Sequence, residues 1–103
     1  MKLFAVIRTR GPAWQPSLSL EGQTEWSAHA RFMNNLAAKG AIILGGPLEG
    51  TPDVLLVMQA DSADEAAQQL QDDPWTALNL LVVEKVMPWT IRLGALPGTG
   101  EQR

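Results

Sequence analysis

The chain holds one histidine, His29, and no cysteine. An imidazole trades protons near neutrality more readily than any other side chain, so His29 is the natural general acid/base candidate. It lies three residues after Trp26 and four before Met33, on or beside the apolar face of a helix. A hydrogen-bonded, partly buried histidine with a purely structural role fits the same position, and both readings stand. Asp73 stands directly before Pro74. An acidic residue ahead of a proline is a common helix start, so this carboxylate is a cap, a site group, or both. Without cysteine there is no thiolate nucleophile and no sulfur-ligated metal. With one histidine, a metal site would need carboxylates alone around a hard ion, and none is expected.

Other residues offer binding rather than bond-breaking. Arg8 and Arg10 leave the first strand on the same side, where they hold a carboxylate or phenolate or stand as solvated strand-end charges. For Arg8 the solvated reading is preferred; Arg10 stays open between the two. Gly45-Gly46 would let backbone N–H groups approach a ligand, although a bulge and turn at a strand end is the preferred reading of the pair. No lysine and serine or threonine follow in phosphate-loop spacing, and no cofactor is expected. Trp14, Trp75 and Trp89 could line an aromatic-binding pocket, although tryptophans are more often core or dimer contacts. Ser17 and Ser19 carry hydroxyls, but nothing around them resembles a nucleophile elbow.

The elements that must position these residues follow from periodicity. A strand is expected over 3–9, ended by Gly11-Pro12, then a loop over 10–21, long enough to suggest function. Over 23–39 the period becomes helical, with Trp26, Ala30, Met33, Leu36 and Ala37 on one face and Gly40 closing the helix. Strands are expected over 41–44, ended by Gly45-Gly46-Pro47, and over 54–60. Ser62-Ala63-Asp64-Glu65 reads as a capping box. The helix it opens turns Ala63, Ala66, Ala67 and Leu70 inward and ends near Asp72, before a break at Asp73-Pro74-Trp75. A fourth strand is expected over 80–86 and a short fifth piece over 89–93. The order is β-α-β-β-α-β, an α+β, ferredoxin-like arrangement with an antiparallel sheet and its helices on one face. Residues 1–94 form the domain and 95–103 a Gly/Pro-containing tail.

Composition bounds the partners. A chain of 103 residues that is 46% hydrophobic and 18% charged builds one globular core. A net charge of −3 with no basic cluster argues against nucleic acid. The apolar run before Arg8 is too short for a signal peptide, and no stretch reaches the roughly 20 apolar residues of a membrane span. The lack of cysteine fits a reducing cytoplasm. Three strands are apolar on both faces, yet two helices cover only one face of such a sheet. The bare face would exceed what monomers usually expose, so a homodimer packed sheet to sheet is expected.

Several segments together resemble the YCII-related (YciI-like) family of dimeric α+β barrel proteins. They are Ala5-Val6-Ile7-Arg8-Thr9-Arg10-Gly11-Pro12, Trp26-Ser27-Ala28-His29-Ala30-Arg31-Phe32-Met33, Gly45-Gly46-Pro47-Leu48, Asp72-Asp73-Pro74-Trp75 and Val86-Met87-Pro88-Trp89. The resemblance implies a ferredoxin-like subunit, a barrel built across a dimer, and a pocket with a histidine and an aspartate, which map to His29 and Asp73. It also implies chemistry similar to cofactor-free lyases and dehydrochlorinases of small cyclic compounds, so the protein is expected to be a lyase or hydrolase-like enzyme on a small organic substrate. In that setting a capping Asp73 would orient the His29 imidazole, with Arg10, Trp14, Gly45 and Gly46 as ligand contacts. The alternative is a small-ligand-binding or accessory dimeric domain without turnover.

Overall fold

In the first strand, β1 (Lys2–Arg10), burial alternates residue by residue. Phe4, Val6 and Arg8 face the helices and are buried, while Leu3, Ala5 and Ile7 face the other way and are half-buried. The computed structural model describes residues 1–94. Its remaining elements are α1 (Trp26–Ala38), β2 (Ile42–Pro47), β3 (Asp53–Ala60), α2 (Ala63–Gln68), α3 (Pro74–Ala77) and β4 (Leu81–Pro88). The sheet runs β2-β3-β1-β4 with every neighbouring pair antiparallel. This is the ferredoxin-like order, in which the chain's first and third strands lie side by side at the centre.

One core fills the space between sheet and helices. Phe4, Val6, Leu56, Met58 and Ala60 meet Leu36 of α1 and Ala66 and Leu70 around α2. Helix α1 buries His29 and Leu36, with Phe32 and Met33 half-buried, whereas Ala37 is exposed. The helix is thus rolled slightly from the expected face, because turning Phe32 and Leu36 inward removes more apolar surface from water than turning alanines inward. Gly40, at φ 84°, closes α1. Its N–H binds Ala37 O and the next N–H binds Leu36 O, a Schellman ending that needs a left-handed residue. Ser62 caps α2 by accepting from Glu65 N–H, and Glu65 reaches back to Asp61 N–H.

Three expectations need correction. Gly45-Gly46-Pro47 does not end β2; it stays in register opposite Leu56, Leu55 and Val54. Strand β2 lies at the sheet edge, where a proline's missing N–H breaks no ladder bond. The second helix stops at Gln68, and Pro74–Ala77 is a separate turn of helix rather than only a break. No fifth strand forms over 89–93. Trp89 N–H still reaches Leu3 O, but by then β1 has almost no partners left to offer. The expected tail at 95–103 lies outside the described residues.

The sheet face away from the helices carries Leu3, Ala5, Ile7 and Leu55, all half-buried, with Val57 buried between Ala5 and Leu44. Leu44 and Met87 on the same face are 38% and 41% exposed.

Candidate active site

Asp73 is held before it does anything else. As the residue ahead of Pro74 it is kept in extended backbone geometry, and its Oδ1 accepts the Trp75 N–H at 3.0 Å, capping α3. Its side chain is buried, and three further contacts converge on it. Nδ1 of His29, projecting from α1, lies 2.9 Å from both carboxylate oxygens. Arg8, from β1, donates Nη1–H to Oδ2 at 2.7 Å. Elements far apart in sequence therefore close on one carboxylate. The expected pairing of positions 29 and 73 is met in space, and the mechanism is helix α1 lying against the turn that opens α3.

Burial pushes the Asp73 carboxyl up. The His29 and Arg8 hydrogen bonds, the Trp75 N–H and the charge of His29 outweigh that and hold it below the usual carboxylate value. An ionised carboxylate only accepts, so Nδ1 carries the hydrogen of the shared bond. Nε2 then has no protein partner among the described residues and is not sealed from solvent.

The imidazole is fixed on its flat side too. Trp75 is fully buried and stacks on it, ring centroids 3.7 Å apart and planes 5° from parallel. The indole is itself tied by Nε1–H to Thr24 O at 2.6 Å, just ahead of α1. Glu25, between Thr24 and the helix, takes a left-handed φ of 60° without being glycine. Such strain persists only where the surroundings over-determine it.

Beside His29 opens a cavity of about 270 Å³ under α1 and along β2. Its walls are mostly apolar, including Trp26, Met33, Ile42 and Leu56, with the Gly45–Gly46 backbone along one side. A side chain at Gly45 would put its Cβ 2.5 Å from Leu56 Cδ2, so glycine there keeps strand and cavity open. Gly46 has nothing within 4 Å of a built Cβ. Arg10 and Trp14, expected as ligand contacts, do not line this cavity. Arg10 lies 4.5 Å over the Trp14 ring, and Trp14 meets Trp75 edge-on at 5.6 Å. Among the described residues no three His, Cys, Asp or Glu side chains gather into a metal-binding set. A second hollow, of about 340 Å³, lies against Lys39, Gln59, Glu65 and Gln69. The Gln59 amide and the Glu65 carboxylate there are already engaged by backbone.

Arg8 is the main reversal. It is not a solvated strand-end charge: it is fully buried, and its partners are Asp73, Thr76 Oγ1 at 3.0 Å and Leu81 O at 3.4 Å. Thr76 passes its own hydrogen to Leu70 O at 2.8 Å. The signal was present in the strand's period of two, since Arg8 shares a face with Phe4 and Val6. Trp75 as a stacking partner and Thr76 as a guanidinium holder carry no comparable sequence signal.

A buried carboxylate gripping an imidazole in the wall of an apolar cavity is chemically able to accept and return a proton. Residues 3–90 match the family model of the YCII-related domain, and the chain belongs to that family. Among solved structures it is similar to 5-chloro-2-hydroxyhydroquinone dehydrochlorinase (TftG) from Burkholderia phenoliruptrix AC1100, in complex with 2,5-dihydroxybenzoquinone. The two are 26% identical over 89% of this chain and 95% of that one, with a TM-score of 0.60. Comparison with curated protein sequences gave no match.

Proposed function

We propose that the protein is a cofactor-independent, lyase-like enzyme acting on a small cyclic organic compound, with His29 as acid/base and Asp73 as its orienter. The observation that supports this most directly is the imidazole itself: Nδ1 on a buried carboxylate, Nε2 without a protein partner, and the ring in the wall of an apolar cavity. The similarity to a dehydrochlorinase points to loss of HX from a ring as the reaction class. In that step Nε2 takes a proton from the substrate, the freed electron pair forms a new π bond, and X⁻ departs. The imidazolium then returns its proton to the leaving anion or to water. Apolar walls favour the ring, and the open backbone at Gly45 and Gly46 leaves it room. Trp14, with Arg10 over its ring, packs edge-on against the indole on which the imidazole rests.

The working unit in this reading is a cytoplasmic homodimer. The apolar face bearing Leu3, Ala5, Ile7, Leu44, Leu55 and Met87 has no cover within the described chain. Two copies packed there would bury on the order of 1,200–2,000 Å², the size of a specific interface. Sedimentation at micromolar concentration is expected to show two chains.

The activity test is halide release from chlorinated hydroxyhydroquinones, read alongside thermal shift with 2,5-dihydroxybenzoquinone. His29→Gln is expected to stay folded and to lose about 10²–10⁴-fold in turnover. Undiminished turnover in that variant would refute the acid/base role. Ligand binding by the wild type with no turnover of any ring substrate would replace it with a binding domain.

A further inference from the structure

The acid/base reading leaves one buried charge unexplained. Arg8 is fully buried, makes no hydrogen bond to the imidazole, and is placed poorly for its own needs, since its Nε is buried without a partner. A buried donor left unmade is costly, and a buried ion pair is often no more stabilising than well-packed apolar side chains. The guanidinium is thus oriented for Asp73 at its own expense, with Thr76 Oγ1 and Leu81 O holding its other arm.

The carboxylate it serves has two possible relations to His29. Ionised, Asp73 accepts from Nδ1–H, and the neutral ring presents a bare Nε2 lone pair to the cavity. Protonated, Asp73 donates a hydrogen to Nδ1, the ring carries its hydrogen on Nε2, and the cavity meets a donor in place of a base. Desolvation favours the second arrangement; Arg8 opposes it by charge at 2.7 Å. Arg8, Asp73 and His29 are the ionisable groups of this cluster, and Arg8 and His29 are the only ones in the cavity lining among the described residues.

We propose that Arg8 is a positioning residue that sets the tautomer of His29: by keeping Asp73 an acceptor it reserves Nε2 as the proton-accepting nitrogen at the cavity. The inference rests on the His29–Asp73 reading above, but its test does not need turnover. Because the chain has one histidine, the two ring nitrogens are read without ambiguity in a ¹⁵N long-range correlation spectrum of the full-length protein. The spectrum is taken at a pH where the ring is neutral.

The wild type is expected to show a hydrogen-bearing Nδ1 and a bare Nε2. Arg8→Met is expected to shift the tautomer ratio about fivefold or more toward Nε2–H, the difference between hydrogen bonds to charged and neutral acceptors. Arg8→Lys, which restores a cation, is expected to move it back. Thr76→Val removes a holder of the guanidinium together with the bond to Leu70 O, leaves Asp73 and His29 in place, and is expected to shift the ratio in the same direction, more weakly. This variant decides the matter if Arg8→Met does not fold. An Nε2–H wild type, or a ratio unchanged in both Arg8→Met and Thr76→Val, overturns the proposal. Tautomers that follow Arg8 in a protein that turns nothing over would leave it standing while removing the lyase.

Discussion

Replacing Asp73 by alanine tests the centre of the structure, and its magnitude can be built from contacts. The side chain is 1% exposed and performs three tasks: it caps α3, pairs with Arg8 and holds His29. Losing the cap costs about 1 kcal/mol. Leaving the Arg8 guanidinium buried without its anion costs about 3–5 kcal/mol. The combined loss of about 5 kcal/mol takes most of the roughly 5–15 kcal/mol that a domain possesses. Asp73→Asn separates the contributions, because the single asparagine oxygen can keep the cap while its NH₂ then faces the Arg8 guanidinium. Its expected cost is about 3–5 kcal/mol, the loss of the Arg8 pair with the cap retained. His29→Gln removes neither the cap nor the Arg8 pair and should fall well below both. Urea unfolding followed by tryptophan fluorescence measures all three, with Trp75 stacked on the imidazole as a local reporter. An Asp73→Ala protein within about 1 kcal/mol of wild type would refute the reasoning, since the ion pair would then not be formed as described.

Further outcomes follow from the same geometry. The Asp73 carboxyl lies below its ordinary value when folded, so its stabilising contribution is present above the unfolded value and is lost as pH falls through the folded one. Acid unfolding monitored by circular dichroism should therefore begin below about pH 4, and in Arg8→Met, where one of the groups that oppose burial is gone, it should begin at higher pH. Gly11→Ala should destabilise by about 2 kcal/mol or more in urea titrations, because its Cβ would meet the Asn79 carbonyl oxygen that the loop crosses at close range. Gly45→Ala should cost about 1–3 kcal/mol and weaken 2,5-dihydroxybenzoquinone binding by thermal shift, since its Cβ presses on Leu56 and Leu55 O beside the cavity.

Much of the fold was legible because its signals are local. Apolar runs bounded by Gly and Pro marked the strands, Gly40 marked the end of α1, and the Ser62–Glu65 box marked the start of α2, each through contacts spanning a few residues. The doubly apolar strands also carried the expectation of a second copy. Element ends were less legible. The sequence shows Gly45-Gly46-Pro47 as a stop, and only the position of β2 at the sheet edge lets those residues continue the ladder. Likewise the strand expected over 89–93 fails because β1 runs out, a matter of register rather than propensity.

For the site, sequence alone determined the inventory: one imidazole, no thiol, and a carboxylate locked in place by the proline after it. It could not determine the company those groups keep. His29 and Asp73 meet because α1 and α3 pack together, and Arg8 reaches the same carboxylate from 65 residues away. An arginine at a strand end reads as solvated until the strand's inward face is known. A tryptophan reads as core until its ring is seen lying flat on an imidazole. The direction of a side chain is set by the packing of the whole chain, and on this sheet that packing turned Arg8 from a surface charge into a buried partner of Asp73.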